Sequence, residues 1–181
     1  MPGSSSESPP VVAASSPESA PFFSVSITKL IALSTCTLGL YELFWFYKNW
    51  RLVRERESSD ILPFWRAFFG LFFCYPLFRR VRDFPVQSVA TENLPAGALT
   101  VGWIVAECLW KLPGAYWLIS FSSVLFIVPV QLTAARVNEA VAPGHDRNER
   151  FSPTNWVTIV LGTLFLVLVV IGEFLPEQPA A

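Results

Sequence analysis

CTLGLYELFWFYKNWR, which runs from Cys36 to Arg51, decides how the chain is placed. The stretch begins apolar and ends in a belt of aromatic residues, among which Lys48 and Arg51 are interleaved. Aromatic rings that have one apolar and one wet edge favour the headgroup layer of a bilayer, and basic residues mark its cytoplasmic side. The stretch is therefore typical of a helix that leaves a membrane toward the cytoplasm.

The composition of the chain indicates a membrane protein. Of its 181 residues, 52% are hydrophobic and 15% aromatic, whereas only 15% are charged; ordinary soluble domains have about 25% charged residues. The net charge is −1, but the basic residues are unevenly distributed along the chain. Eight of the thirteen Lys and Arg residues lie between Lys48 and Arg82. We expect no nucleic-acid partner, since the sequence contains no basic soluble domain.

Hydropathy divides the chain into a polar tail and a helical membrane domain. Residues 1–21 are rich in Ser and Pro and cannot bury enough apolar surface to offset chain entropy, so we expect a disordered N-terminal tail. Residues 22–175 form the predicted membrane domain, and residues 176–181 form a short C-terminal tail. A hydrocarbon core requires roughly 20 apolar residues in a helix. The segments that we interpret as spans cover residues 27–47, 96–112, 115–132 and 156–175.

The aromatic segment at residues 63–81 is expected to differ from the four spans. Its uninterrupted apolar part, from Ala67 to Phe78, is only twelve residues long, and runs of that length are more often interfacial or re-entrant than spanning. Arg66 precedes this part and Arg79 follows it, and both need the same aqueous side. We therefore predict a helix that dips in from the cytoplasmic face and returns, with in-plane and spanning arrangements as the alternatives.

The distribution of basic residues predicts the orientation. With four spans and the N-terminus outside, eleven Lys and Arg residues lie inside and only Lys29 and Lys111 lie outside, which is the bias expected of cytoplasmic loops. The C-terminus is then outside as well. The predicted fold class is all-α and integral to the membrane, with four transmembrane helices, one re-entrant or interfacial aromatic helix and a disordered N-terminal tail.

Polar residues inside apolar segments are the main candidates for function. A charge at the centre of a membrane costs about 2.5–3.5 kcal/mol on insertion scales, so Glu42 and Glu107 each need a partner or a role. For Glu107 we favour an i,i+4 pair with Lys111. Glu42 could be protonated, could pair with Arg66 or could extend to the cytoplasmic surface. We favour a structural bond to a neighbouring helix over proton or ion handling. Gln131 is interpreted as an interhelical hydrogen-bonding residue, and a cavity-lining role is the alternative.

The basic residues near the inner surface are the strongest binding candidates in the sequence. Each cation close to an anionic membrane surface contributes about 1 kcal/mol of attraction. Topology determination alone is the alternative explanation, and it needs no ligand. The candidates for contact with anionic lipid or a partner are Lys48, Arg51, Arg54, Arg56, Arg79, Arg80 and Arg82.

Motifs for catalysis and for metal binding are missing from the sequence. It contains no GxSxG, HExxH or GxxxxGK[ST] motif and no acidic metal cluster. The three cysteines stand singly in apolar runs, and the one histidine, His145, lies in a hydrophilic loop. We therefore predict that the protein is not an enzyme, and we assign no catalytic, metal or cofactor-binding residue.

TLGLYELFWFYKNW, from Thr37 to Trp50, resembles the end of the first helix in a family of small bacterial multi-pass membrane proteins that is catalogued as a domain of unknown function. PFWRAFFGLFFCYPLFRR and VQLTAARVNE are similar to further stretches of that family, so the resemblance covers residues 22–175. It implies a location in the bacterial cytoplasmic membrane. It implies no established activity, so no catalytic residue is carried over.

The leading hypothesis is a structural or accessory membrane protein that contacts lipid or a membrane partner complex through its aromatic and basic cytoplasmic side. The alternative is a small oligomeric transporter or channel in which Glu42 and Glu107 line a path. Membrane lipids are the expected partners, and a membrane-protein partner or a homo-oligomer would fit either hypothesis.

Overall fold

The fold is built from helices. The computed structural model describes residues 19–173, and this part of the chain contains seven α-helices, three short 3₁₀ segments and no strand. The all-α prediction is therefore confirmed for these residues. The predicted tails at 1–21 and 176–181 lie outside the described residues, apart from positions 19–21. The helices are α1 (Ile27–Cys36), α2 (Leu40–Glu57), α3 (Pro63–Phe68), α4 (Gly70–Arg82), α5 (Ala96–Cys108), α6 (Ser123–Val141) and α7 (Pro153–Glu173).

The predicted single helix over residues 27–47 is wrong, because the chain breaks between α1 and α2. Leu38 and Gly39 at the break have positive φ angles of 54° and 84°. This left-handed conformation ends helices, and glycine adopts it without strain. The hydroxyl of Thr37 supports the turn, since it accepts the backbone N–H of Tyr41 at 3.0 Å.

The break folds α1 and α2 into an antiparallel hairpin. The N–H of Phe23, just before α1, donates to Oδ1 of Asn49 in α2 at 3.1 Å, and Arg56 donates to the carbonyl of Pro21 at 2.7 Å. In one continuous helix, Phe23 and Asn49 would be about 39 Å apart. The start of α1 and the end of α2 therefore lie at the same end of the bundle. This end also carries Arg80, which is bonded to the last residue of α2, and we call it the basic end.

α7 lies beside α1 and runs in the same direction. Lys29 of α1 donates to the carbonyl of Arg150, just before α7, at 3.0 Å. Farther along, the Cys36 thiol and the Thr163 hydroxyl are 3.3 Å apart. Gly162 permits this approach, because a Cβ there would collide with the carbonyl oxygen of Cys36. α7 then continues for ten more residues, about 15 Å past the end of α1.

α5 and α6 form a second hairpin that packs against the first. The connection consists of a 3₁₀ turn at Leu109–Lys111 and a 3₁₀ helix at Gly114–Ser122, which leads directly into α6. Two helices in the described part of the chain are long and apolar enough to cross a membrane, namely Gly114–Val141 and Pro153–Glu173. The aromatic segment at 63–81 is helical, and it is divided into α3 and α4.

The hydrophobic core lies where the two hairpins and α4 meet. The ring of Phe46 in α2 stacks on that of Phe78 in α4, with ring centres 6.1 Å apart. Its centre lies 5.0 Å from the ring centre of Trp103 in α5. Trp45 and Trp50 of α2 are also fully buried. α7 contributes no buried residue to this core, and most of its apolar side chains are exposed.

Replacing Gly162 by Ala is expected to push α7 away from α1, because the added methyl group would collide with the Cys36 carbonyl. The readout is a disulfide between Cys36 and a Thr163→Cys substitution, formed by mild oxidation in a Cys108→Ser background. Gly162→Ala should reduce the disulfide yield several-fold. Gly172→Ala is the matched control, because the space around it is open; equal yields in both variants would contradict this packing.

Candidate functional site

A cavity of about 380 Å³ lies at the tip of the α1–α2 hairpin, away from the basic end. Its walls come from the hairpin tip, from the end of α5 and from the 3₁₀ helix that precedes α6. We call it the dicarboxylate cavity, because both candidate glutamates line it. The lining residues are Ser34, Leu38, Gly39, Glu42, Glu107, Trp110, Trp117, Ser120, Phe121 and Ser123.

Glu42 is the buried carboxyl group of this cavity. It lies in the first turn of α2 and is only 3% exposed. Trp103 of α5 donates its indole N–H to Oε2 at 2.7 Å, and the hydroxyl of Ser123 in α6 donates to Oε1 at 2.9 Å. Both bonds join the hairpin tip to neighbouring helices. The possible partner Arg66 does not reach Glu42, because its guanidinium lies 4.5 Å from the ring centre of Trp50.

Glu107 faces the same cavity, and the expected ion pair with Lys111 is wrong. Among residues 19–173, neither cavity carboxylate forms a salt bridge. The i,i+4 geometry is lost because α5 ends at Cys108 and the chain continues as a tighter 3₁₀ turn. Lys111 is exposed, and its ammonium lies 5.6 Å from the ring centre of Trp110.

Ser34 adds to the cavity a polar group without a hydrogen-bond partner in residues 19–173. The residue is only 2% exposed, and its hydroxyl forms no hydrogen bond within the described part of the chain. Most buried polar side chains have a partner. Sequence reasoning missed Ser34, Trp103 and Ser123, and the signal that could have found them is the presence of small polar residues and tryptophan inside the apolar segments.

Gln131 of α6 is fully buried, and it anchors the extended segment that precedes α1. Its amide nitrogen donates to the carbonyls of Phe23 and Val25 at 3.2 and 3.1 Å. Its amide oxygen accepts the indole N–H of Trp45 in α2 at 2.7 Å. One interhelical bond and two bonds to the segment thus use the whole carboxamide, which is the hydrogen-bonding role that we favoured for this residue.

Two asparagines complete the anchoring of the segment. Asn138 of α6 accepts the N–H of Phe22 at 2.9 Å and donates to the carbonyl of the same residue at 2.8 Å. Asn49 of α2 accepts the N–H of Phe23. A carboxamide that bonds both groups of one residue replaces the neighbouring strand of a sheet. Together with Gln131, these side chains satisfy backbone groups that would otherwise be buried without partners.

The predicted basic contacts lie on α2 and α4, and most of them are paired within the protein. Arg56 holds the carbonyl of Pro21, and Lys48 lies 5.4 Å from the ring centre of Phe44. Arg54 is exposed and has no salt bridge among the described residues. The salt bridges are Arg51–Glu55 at 3.3 Å, Arg79–Asp83 at 3.0 Å, Arg80–Glu57 at 2.9 Å and Arg82–Asp83 at 2.8 Å. The attraction for an anionic surface is therefore smaller than seven free cations would produce.

A second cavity, of about 530 Å³, lies between α2 and α4 at the basic end, and the Arg80–Glu57 pair lines it. Arg80 donates two bonds to the carboxylate of Glu57, at 2.9 and 3.2 Å. The hydrogen bond from Arg80 holds the pKa of Glu57 below its usual value. This pair fastens α4 to the end of α2, so its charges are used for packing.

α3 and α4 carry an exposed aromatic face beside the basic residues. Within it the rings of Phe64 and Phe68 are stacked with centres 6.3 Å apart, and those of Trp65 and Phe69 with centres 5.9 Å apart. Soluble proteins seldom expose a contiguous patch of this kind. The aromatic face consists of Phe64, Trp65, Phe68, Phe69, Phe72 and Tyr75, each more than 40% exposed.

Comparison of the chain with protein-family models, with curated protein sequences and with solved structures gives no match. The resemblance to the bacterial membrane family therefore stays a prediction. The two candidate sites, the dicarboxylate cavity and the aromatic face with its basic neighbours, are interpreted from their own geometry.

Replacing Gln131 by Leu is expected to destabilise the protein strongly. The change leaves the carbonyls of Phe23 and Val25 and the indole N–H of Trp45 without their partner, and each buried unsatisfied group costs about 1–3 kcal/mol. Thermal unfolding of the detergent-solubilised chain should therefore begin at a clearly lower temperature. Gln87→Leu, at an exposed position, is the control and should change stability by less than about 0.5 kcal/mol. Similar unfolding temperatures for the two variants would rule out the anchoring role.

Proposed function

We propose that the protein is an integral membrane protein that crosses the bilayer three times, with its basic end in the cytoplasm. The exposure of α7 carries this proposal. The helix is 21 residues long, has no charged residue from position 157 to 172 and buries none of its side chains in the protein. Such a helix is unfavourable in water and fits a hydrocarbon core of about 30 Å.

In this arrangement, the Gly114–Val141 helix and α7 cross the membrane, and the third crossing is made by α5 together with the 3₁₀ turn at Leu109–Lys111. The two N-terminal helix pairs enter from the cytoplasmic side and return. The length of α7 supports the re-entrant interpretation of α1 and α2. α7 spans the membrane in this arrangement and continues about 15 Å past the hairpin tip, so the hairpin does not reach the far side.

The three crossings replace the four that we predicted. Residues 27–47 are not one spanning helix, because they form the first arm of the hairpin, its turn and the beginning of its second arm. The aromatic pair α3 and α4 keeps its predicted re-entrant or interfacial position.

The distribution of charge supports this orientation. Lys29 lies at the basic end through its bonds to the loop at residues 148–150, so twelve of the thirteen Lys and Arg residues lie on one side and only Lys111 lies on the other. This bias is stronger than the eleven to two of the four-span prediction, as expected of a cytoplasmic surface. Residues 19–21 are then cytoplasmic, contrary to the expected outside N-terminus, and the described end of α7 is outside.

Within the membrane, we assign the protein a structural or accessory role based on lipid contact. The aromatic face would lie in the cytoplasmic leaflet, where aromatic rings are favoured. Arg54 of α2 and Arg79 of α4 are exposed, and each cation near the membrane surface adds about 1 kcal/mol of attraction to anionic headgroups. A bacterial cytoplasmic membrane is the proposed location, and its support is the resemblance described above.

The dicarboxylate cavity favours a second candidate, a small transporter or channel. Its polar groups lie at the tip of a re-entrant hairpin, which is where broken helices of transporters hold their substrates. Uptake or conductance in proteoliposomes that is lost in a Glu42→Gln variant would favour this candidate over the accessory role.

Cysteine accessibility is expected to distinguish the three-crossing arrangement from the four-span one. In a chain without Cys36 and Cys108, a cysteine at Ser26 should resist an impermeant maleimide that is added outside intact cells, because the start of α1 is cytoplasmic. A cysteine at Gly114 is the positive control and should react. Labelling at Ser26 from outside would contradict the proposed topology.

Lipids that remain with the protein should report the proposed lipid contact. Extraction with a lipid-retaining polymer, followed by mass spectrometry, is expected to recover anionic lipid with the wild type and less of it with Arg54→Gln and Arg79→Gln combined. Arg136→Gln, an exposed change away from the aromatic face, should retain the wild-type amount. Equal amounts in all variants, or a protein partner in near-equal amount instead, would oppose the lipid-contact role.

A further inference from the structure

The dicarboxylate cavity brings together two carboxyl groups that form no salt bridge with any basic side chain in residues 19–173. Glu42 receives hydrogen bonds only from neutral donors, and Glu107 forms no ion pair. An ionised carboxylate that is buried without a counter-ion is costly in a medium of low dielectric constant, and Glu42 is only 3% exposed. Glu42 and Glu107 line one space, so a positively charged occupant would stabilise their ionised forms.

The walls of the cavity are suited to an organic cation. Trp110, Trp117 and Phe121 line it together with the carboxylates, and aromatic faces attract ammonium and quaternary ammonium groups. The ring of Trp110 already lies 5.6 Å from one ammonium group, that of Lys111, which is not part of the lining.

A metal ion fits this lining less well. Calcium takes about 6–8 oxygen ligands, whereas the described residues contain no group of three or more His, Cys, Asp and Glu side chains that could hold a metal. The aromatic rings supply no ligand for a hard cation. The residues that line the cavity therefore favour an organic cation over a metal ion.

Ser34 points independently to a ligand. The residue is only 2% exposed and lines the cavity, and its hydroxyl has no hydrogen-bond partner among the described residues. A hydroxyl in such a position is usually satisfied. A polar atom of a bound molecule would satisfy it.

We propose that the dicarboxylate cavity binds a small organic cation that carries an ammonium or quaternary ammonium group. Glu42 and Glu107 balance the charge, the two tryptophans contact the alkyl groups around the nitrogen, and Ser34 bonds to a polar atom of the ligand. The volume of about 380 Å³ lies within the usual range for small-molecule sites, about 300–1,000 Å³.

The cation has two possible sources, a free amine or the headgroup of an aminolipid. Only the lipid source rests on the proposed membrane placement, because a free amine would bind equally to the solubilised protein. The cavity lies away from the basic end, so in that placement it would draw on the outer leaflet or on the external solution.

The test is a calorimetric titration of the full chain, solubilised in a maltoside detergent, with choline. 3,3-Dimethylbutan-1-ol is the matched neutral probe, because a carbon atom replaces the charged nitrogen. Choline is expected to bind at least about tenfold more tightly than the neutral probe, since charge and cation–π attraction act on choline alone.

Variants locate the binding in the cavity. Glu107→Gln and Trp110→Leu each should weaken choline binding by about tenfold or more. Both positions lie near the exposed end of α5, and neither side chain supports the core. Glu92→Gln and Trp156→Leu are matched controls at exposed positions away from the cavity, and they should bind choline as the wild type does.

Mass spectrometry of lipid retained after polymer extraction forms the second arm. Phosphatidylethanolamine that is enriched with the wild type and lost with Glu107→Gln would identify the aminolipid source, whereas choline binding without such enrichment would identify a free amine. The proposal is overturned if choline binds no better than the neutral alcohol and Glu107→Gln leaves the retained aminolipid unchanged. The anionic lipid at Arg54 and Arg79 is measured separately, so either proposal can fail alone.

Discussion

The extended segment before α1 lies inside the bundle with backbone groups that no helix or strand can satisfy, and the carboxamides of Asn49, Gln131 and Asn138 satisfy them. A buried backbone group without a partner costs as much as a lost hydrogen bond. Because these bonds hold the start of α1 beside α2, the chain has to reverse between the two helices, which it does at Leu38 and Gly39. The hairpin and the position of Glu42 at its tip both depend on this anchoring.

Polar groups at the two ends of the hairpin differ in how completely they are bonded. Near the basic end, the carboxamides bond to the segment, and Arg80 is paired with Glu57. At the tip, Glu42 is held by two donors, while Ser34 lacks a partner and Glu107 lacks a counter-ion among the described residues. Polar groups whose hydrogen bonds are all formed within the protein stabilise the fold, whereas polar groups without a partner in a cavity remain available to a ligand. This difference separates the structural polar residues from the candidate functional ones.

Features that depend on local sequence could be predicted, and those that depend on distant partners could not. The helices at the C-terminal half follow from the length of their apolar runs, and α7 begins at Pro153 close to its predicted start. The break at Gly39 left no clear signal, because a helix tolerates one glycine at a cost of about 1 kcal/mol, and the groups that impose the break lie up to 116 residues away. The Glu107–Lys111 pair failed because the spacing assumed a helix that continues past Cys108.

The hairpin is the central claim, and a distance between two spin labels tests it most directly. Cysteine-attached labels at Thr28 in α1 and Arg54 in α2, both exposed, would be measured by electron–electron resonance in the full chain reconstituted into bilayers. The hairpin predicts a distance below about 20 Å, since packed helices lie roughly 8–10 Å apart. A distance near 39 Å, about the value for one continuous helix over these positions, would contradict the hairpin and, with it, the position of the dicarboxylate cavity.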